Sequence, residues 1–188
     1  TARSRGLGDV YKRQMYDAFA KIEVNYRVSL ACRAEFLESI MTQQTPVLVG
    51  VSHLEQRFTD FDSAKEPIEL MIEAVKQAAQ DAGSSALLEA SSVRVIKGLW
   101  PYQDPARAVA EAIGCANAES VMSPFGGNFV QAVLNQSALD IQSGQHDIIV
   151  LTGAECGNTQ AKAAKAGHDL GWAELPGTPD RLIGVDKD

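Results

Sequence analysis

Blocks of apolar and polar residues alternate along the chain from residue 46 onward and predict a series of strands. The first block, Pro46–His53, is rich in Val and Leu and is bounded by Pro and polar residues. Such a continuous apolar run is typical of a strand buried on both faces of a sheet. Three later runs predict further strands: Val93–Trp100, Ser120–Pro124 and Asp147–Thr152.

The segments between these runs have apolar residues at the spacing of helices. Apolar residues recur every three or four positions from Ile68 to Ala82, and Gly83 follows as a helix end. The segment Ser63–Glu66 has the spacing of a capping box before this first helix. We therefore expect a helix that begins after Glu66 and packs one face on a sheet.

Two more helices follow. Asp104 is a predicted N-cap, with Pro105 at the first helical position of a helix that ends near Gly114. The third helix begins at Gly126-Gly127-Asn128 and continues to Gly144. It is apolar around much of its circumference, so we expect it to lie centrally in the fold.

The order strand, helix, strand, helix, strand, helix, strand predicts an α/β fold with right-handed crossovers. Such connections give a mostly parallel sheet with helices on both faces. From 154 to 188 the chain is rich in Gly, Ala and polar residues and is predicted to be loop. The predicted core is therefore 41–153, followed by the start of a truncated loop region, 154–188.

Residues 1–40 are predicted to be a non-native leader. Residues 1–14 show no hydrophobic period, and the hexapeptide Asp9–Gln14 resembles a translated transposon end used to prepare sequencing libraries. Residues 15–40 are either translated upstream DNA, the interpretation we favour, or an amphipathic helix. Under the favoured interpretation, Met41 is expected to begin the natural protein and Cys32 to lie outside it.

Composition and charge narrow the class of partner. The chain is 45% hydrophobic with a net charge of −7, so clustered basic residues of the kind that bind nucleic acid or anionic membrane are not expected. No apolar run approaches the roughly 20 residues that span a bilayer. The chain has three cysteines, an odd number, and their spacing is not that of a disulfide framework. This favours free thiols and a cytoplasmic location. Scattered histidines predict no metal site.

The ordered motifs resemble the N-terminal half of the thiolase fold. In Gly144–Glu155 a helix ends at Gly, an Asp precedes an apolar strand, and Gly and Glu follow. Pro105–Arg107 with the Gly114 end resembles that family's second helix, and Pro46–Gly50 resembles its opening strand. The resemblance implies acyl-CoA and lipid metabolism, a layered αβαβα arrangement in the full protein, and a second half that is missing here.

The same resemblance places the family's nucleophilic cysteine at Gly126. The family uses a cysteine there because a helix N-terminus lowers a thiol's pKa. Neither Gly126 nor its neighbours Phe125 and Gly127 can be acylated. The sequence is similar to thiolase-like proteins in which Gly-Gly-Asn replaces the cysteine motif, so the catalytic residues are unknown.

Two interpretations of Gly126, Gly127 and Asn128 stay open. In the first, their backbone N–H groups bind the carbonyl or phosphate of a ligand. In the second, they form a tight strand-to-helix turn with Asn128 as a plain N-cap. The glycine pair favours close approach by a ligand or a facing backbone, which a simple cap does not require.

Two other side chains have alternative roles. Cys156 is either a relocated nucleophile beyond a strand end or a small buried hydrophobe. His168 is either a solvated loop residue or a general base, and the second role requires a nucleophile nearby.

Three functions follow as expectations. The leading one is binding of an acyl-CoA or similar thioester, as ligand or substrate and without further cofactor, at Gly126–Asn128. The second is a catalytically silent subunit that supports a partner protein, and the third is an acetyl-CoA acetyltransferase that uses Cys156 or residues elsewhere. Expected partners are acyl-CoA, the missing half and a homo- or hetero-oligomer. The half alone should expose an apolar face and aggregate.

Overall fold

The computed structural model of the chain describes residues 44–58, 60–84 and 89–184. These all belong to one unit, Gln44–Asp188. The predictions for the leader, for Met41 and for Cys32 lie outside the described residues. None of the helices within the described ranges has the length and apolar character needed to cross a membrane.

The elements alternate as predicted after residue 66. In chain order they are α1 (Pro67–Asp81), β1 (Ser92–Lys97), α2 (Pro105–Ala112), β2 (Glu119–Phe125), α3 (Phe129–Gln142), β3 (Ile149–Thr152), α4 (Gly157–Ala166) and β4 (Arg181–Leu182). A 3-10 turn, Phe61–Ser63, precedes α1. The helices α1, α2 and α3 and the strands β1, β2 and β3 confirm the corresponding predictions.

The four strands form one parallel sheet in the order β3-β1-β2-β4. Val93 of β1 pairs with Ser120 on one side and with Val150 on the other. The predicted α/β class with a parallel sheet is confirmed. The carboxyl ends of β1, β2 and β3 therefore meet at one edge of the sheet, where α/β proteins place ligands.

Alternate residues of the strands face two different helix layers. Val93 and Val95 point toward α1 and α2 and pack in the main apolar core, with Met71 and Val109 fully buried among them. Arg94, between those two valines, points to α3 instead. Helices thus cover both faces of the sheet, as the sequence predicts.

A buried ion pair joins β1 to α3. The Arg94 guanidinium is fully buried and donates to Asp140 Oδ2 at 2.6 Å and to the hydroxyl of Ser137 at 3.0 Å. Arg181 of β4 donates to the same Asp140 oxygen at 3.0 Å. Among the described residues no buried side-chain nitrogen or oxygen is left without a hydrogen bond, which a buried charge pair requires.

The predicted strand Pro46–His53 is wrong: this segment has no regular structure. Two of its polar groups bind α1 instead of a strand: Val51 N–H donates to Asp81 Oδ2 at 2.9 Å, and the Ser52 hydroxyl donates to the Ala74 carbonyl at 2.6 Å. The run therefore stays outside the sheet, and Val47 and Leu48 are 69% and 78% exposed.

The predicted loop 154–188 is also wrong in part, since it contains α4 and β4. The Ala- and Lys-containing sequence of α4 consists largely of good helix formers, and Lys165 lies in its last turn, where a cation is favoured. Strand β4 pairs with β2 through Leu182 opposite Met122.

Two finer predictions need correction. The capping box before α1 lies three residues later than predicted, because Glu66 is the N-cap and exchanges hydrogen bonds with Glu69. Helix α3 is not buried all round. Val133 and Ser137 face the sheet, whereas Val130 and Leu134 are 48% and 44% exposed, because no described element covers that side.

Candidate functional site

The Gly-Gly-Asn turn lies at the carboxyl end of β2, directly before α3. Gly126 has a φ of +139°, a conformation that side chains rarely adopt, and its carbonyl accepts a hydrogen bond from Phe129 N–H at 3.1 Å. The turn geometry alone therefore requires glycine at position 126. This favours the structural interpretation for the first glycine of the pair.

Gly127 differs from Gly126. A Cβ built on Gly127 meets no atom within 4 Å, and its φ lies outside the range that demands glycine. The backbone at this position faces open space, so the turn does not need a glycine there. Close approach by a ligand remains the interpretation that explains the second glycine.

The N-cap prediction for Asn128 is wrong in its side-chain role. Asn128 occupies the N-cap position with helical φ and ψ of −65° and −22°, and its side chain makes no capping hydrogen bond. Its amide oxygen lies instead 2.6 Å from the place where a Cβ of Gly126 would be. The first N–H groups of α3 are thus left without a side-chain cap.

A cavity of about 860 Å³ opens beside the turn. Its mouth lies at the carboxyl ends of three strands, where Gly126 and Gly127 meet Lys97, Gly98, Gly153 and Glu155. Its deeper part runs along β3, between α1 and α3, and the segment Pro46–Ser52 forms its outer wall. Gly126 and Gly127 border this cavity, whereas Asn128 is not among its lining residues.

Two charged side chains lie at the mouth of the cavity, whose other lining residues are uncharged and mostly apolar. The Glu155 carboxylate accepts the N–H of Leu99 at 2.9 Å, which fixes its position. Lys97 is half-buried, and within the part of the chain that the structure describes its ammonium has no hydrogen bond or ion pair. The mouth thus combines the first turn of a helix and an available cation, which favour an anionic group, with the Glu155 carboxylate, which opposes one.

Cys156 lies next to the cavity in sequence but does not behave as an activated thiol. It is 7% exposed, and burial, with the nearby charges of Glu155 and Glu66, raises the pKa of its thiol to about 11. A thiol with such a pKa is protonated at neutral pH and is a poor nucleophile. The interpretation of Cys156 as a small buried hydrophobe therefore fits best.

His168 lies at the end of α4, away from the residues that line the cavity. Its ring stacks on Phe61 with 4.8 Å between centroids, and its Nε2 is 3.8 Å from an Asp62 oxygen. Both contacts lie at the surface. They join α4 to the turn before α1. Among the described residues no contact of this ring with a thiol or hydroxyl is seen, and a general base would require one.

Sequence reasoning missed Lys97 and Glu155 as residues of the mouth. Each lies at or just beyond a strand end, which was the available signal, because the carboxyl ends of parallel strands converge. Among the described residues no group of three or more His, Cys, Asp or Glu side chains is placed to hold a metal ion. No family model, curated protein or solved structure matches the chain.

Proposed function

We propose that this protein binds an acyl-CoA or a similar thioester at the mouth formed by Gly126, Gly127 and Lys97. The observation that carries the proposal is the open backbone of Gly127 at the start of α3, bordering an apolar cavity. The N–H groups of Phe129 and Val130 already donate to the carbonyls of Gly126 and Gly127. An anionic or carbonyl oxygen would therefore accept other N–H groups of the turn, with Lys97 contributing charge. The apolar cavity would receive the acyl chain.

The proposed chemistry does not include an acyl-enzyme at this turn. Phe125, Gly126 and Gly127 carry no nucleophile, and the pKa of Cys156 is raised to about 11 by burial and by neighbouring carboxylates. The thiolase resemblance supports a thioester ligand, and any acyl transfer would depend on residues outside this region. Transfer of radiolabelled acetyl from acetyl-CoA onto a thiol of the chain would contradict this part of the proposal.

The direct test is calorimetric binding of octanoyl-CoA to the full chain and to a Gly127→Val variant. A side chain at position 127 meets no neighbouring atom, so the variant should fold while its side chain blocks the mouth. We expect its affinity to fall by about tenfold or more, equivalent to about 1.4 kcal/mol.

Gly157→Val is the matched control for this test. Gly157 also has no neighbour within 4 Å of a built Cβ, it also begins a helix, and it does not line the cavity. Its affinity for octanoyl-CoA should equal that of the unmodified chain. Equal affinity in all three proteins would exclude the Gly127 mouth as the binding site, and no affinity in any would reject the proposed function.

A second candidate function is a catalytically silent subunit that supports a partner. The observation that favours it is a set of exposed apolar side chains on and around α3, namely Phe125, Val130, Leu134, Leu139 and Leu182. Exposed apolar patches mark interaction sites, although the first three of these side chains also line the cavity. This alternative predicts stable co-purification with another protein and no affinity for octanoyl-CoA. Under either proposal the protein would act in the cytoplasm.

A further inference from the structure

The segment Val47–Ser52, called the strap below, has the sequence of a buried strand but the exposure of a surface loop. Val47, Leu48, Val49 and Val51 are each more than half exposed. Removing apolar side chains from water is the main favourable term in folding, so this exposure leaves a large gain unrealised. A nearby apolar site that buried the strap would recover this free energy.

Such a place exists along the free edge of β3. Within the described residues β3 pairs with β1 alone, so its other edge offers unpaired N–H and C=O groups. All four residues of β3 line the cavity. The deeper part of the cavity is therefore a slot beside an open sheet edge.

The two walls of this slot suit a strand buried on both faces. Ala74, Val75 and Ala78 of α1 form one wall, and Val130, Leu134 and Ala138 of α3 form the other. Both walls present apolar or small side chains. A strand placed there would bury alternate residues against each helix, and a run such as Val47-Leu48-Val49 has apolar side chains for both directions.

The strap is held at the rim of the slot by few contacts. Val51 N–H and the Ser52 hydroxyl donate to α1, as described above. Gly50 lies so close to α1 that a Cβ at this position would collide with the Ala78 carbonyl and come within 3.0 Å of the Ala82 Cβ. The absence of a side chain at Gly50 is what allows the strap to rest on α1.

We propose that the slot is a strand-binding site whose occupant is the strap, which inserts beside β3 as a fifth parallel strand. The connection from the strap through α1 to β1 is a strand–helix–strand crossover, which places the inserted strand parallel to the sheet. Insertion fills the slot and leaves only the mouth at Gly126–Gly127 open. The strap and a long acyl chain then compete for the same space, and this competition rests on the proposed function.

Two substitutions shift the strap in opposite directions, one toward insertion beside β3 and one toward the position on α1. Gly50→Val cannot rest on α1 because of the collision with Ala78, and its β-branched side chain favours a strand. Val49→Asp keeps the rim position, where residue 49 is 58% exposed, but would bury an unpaired carboxylate if it inserted. Both leave the residues of the mouth unchanged.

The first measurement is amide hydrogen exchange of the full-length variants without ligand. Insertion pairs alternate amides of residues 47–53 and the amides on the free edge of β3. We expect these amides to exchange about tenfold more slowly or more in Gly50→Val than in Val49→Asp. Equal or faster exchange in Gly50→Val would overturn insertion.

The second measurement is the affinity for octanoyl-CoA. We expect Gly50→Val to bind about tenfold more weakly than the unmodified chain. Val49→Asp serves the exchange measurement alone, because Val49 lines the cavity that would receive the acyl chain. Unchanged affinity in Gly50→Val, with binding seen in the unmodified chain, would overturn the competition. If the unmodified chain binds no octanoyl-CoA, the proposed function and the competition both fail, and exchange alone decides insertion.

Discussion

The two faces of the sheet are packed in different ways. On the face covered by α1 and α2, side chains such as Met71, Val93 and Val109 are fully buried in one continuous apolar core. On the face covered by α3, the buried apolar cluster is limited to Val121, Val133 and Ile183. The space between β1 and α3 contains the Arg94–Asp140 ion pair instead.

The two faces therefore contribute differently: one mainly stabilises the fold, and the other mainly fixes the position of a helix. An apolar core stabilises roughly in proportion to buried area, whereas a buried ion pair recovers its desolvation cost only in good geometry. The α1 and α2 face therefore supplies most of the driving force. The α3 face fixes one position of the helix through Arg94, Ser137 and Asp140, and leaves the opposite side of that helix exposed.

The largest expected effect comes from breaking the ion pair. Asp140→Asn keeps the shape of the side chain but leaves the fully buried Arg94 without its nearest counter-charge. We expect a loss of about 3–5 kcal/mol in the free energy of unfolding, measured by urea denaturation. Arg181, which also donates to Asp140, is a second cation and so cannot replace the lost counter-charge.

The matching control replaces both charges. The double variant Arg94→Met with Asp140→Leu leaves neither charge buried alone and fills similar volume, so it should recover most of the lost stability. If it is as unstable as Asp140→Asn, the effect at this site comes from packing rather than from an uncompensated charge.

A somewhat smaller effect is expected in the apolar core. Met71→Ala removes a fully buried side chain on α1 and should lower the free energy of unfolding by about 2–5 kcal/mol. Leu134→Ala on α3 is the matched substitution on the other face, where the side chain is 44% exposed. Its effect should stay within about 0.5 kcal/mol, and similar losses in both variants would contradict the comparison.

The smallest expected effect is a decrease in the free energy of unfolding at low pH. Burial raises the pKa of Asp140, but hydrogen bonds from Gln136, Arg94 and Arg181 outweigh it and the net pKa is lowered. A carboxyl with a lowered folded pKa stabilises the fold above its unfolded pKa of about 3.9 and loses this contribution as the pH falls through its folded value.

Urea denaturation of the unmodified chain and of Asp140→Asn at pH 6 and pH 3 would measure this dependence. The difference between the two proteins should shrink at pH 3, because the unfolded chain takes up a proton at Asp140 below about pH 3.9 and the advantage of the folded carboxylate falls. A difference that is unchanged or larger at pH 3 would show that the Asp140 carboxylate does not carry the pH dependence.

The sequence predicts the elements of this fold well where local rules suffice. The spacing of apolar residues and the Asp104-Pro105 start locate α2 to within a residue or two, and the apolar run before Thr152 locates β3. The thiolase-like arrangement of a full protein stays a prediction. The glycine pair is identified from sequence alone, and the structure separates Gly126, fixed by φ, from Gly127, which faces open space.

The remaining features depend on contacts between distant residues. Pro46–His53 has a strand composition but takes its hydrogen bonds from α1, and no local rule specifies which partner satisfies a backbone group. Likewise, the spacing of Arg94 and Asp140 along the chain gives no sign that they pair. The mouth residues Lys97 and Glu155 are brought together only by strand order.

The strand order also has a consequence for the path by which the chain folds. Ser92 and Glu119, which pair across β1 and β2, are 27 residues apart, whereas Ser91 and Ile148, which join β1 to the start of β3, are 57 apart. Closing a shorter loop costs less entropy. We therefore expect β1, α2 and β2 to form first and β3 to pair later, with the edge of β1 that receives β3 left unpaired until α3 has formed.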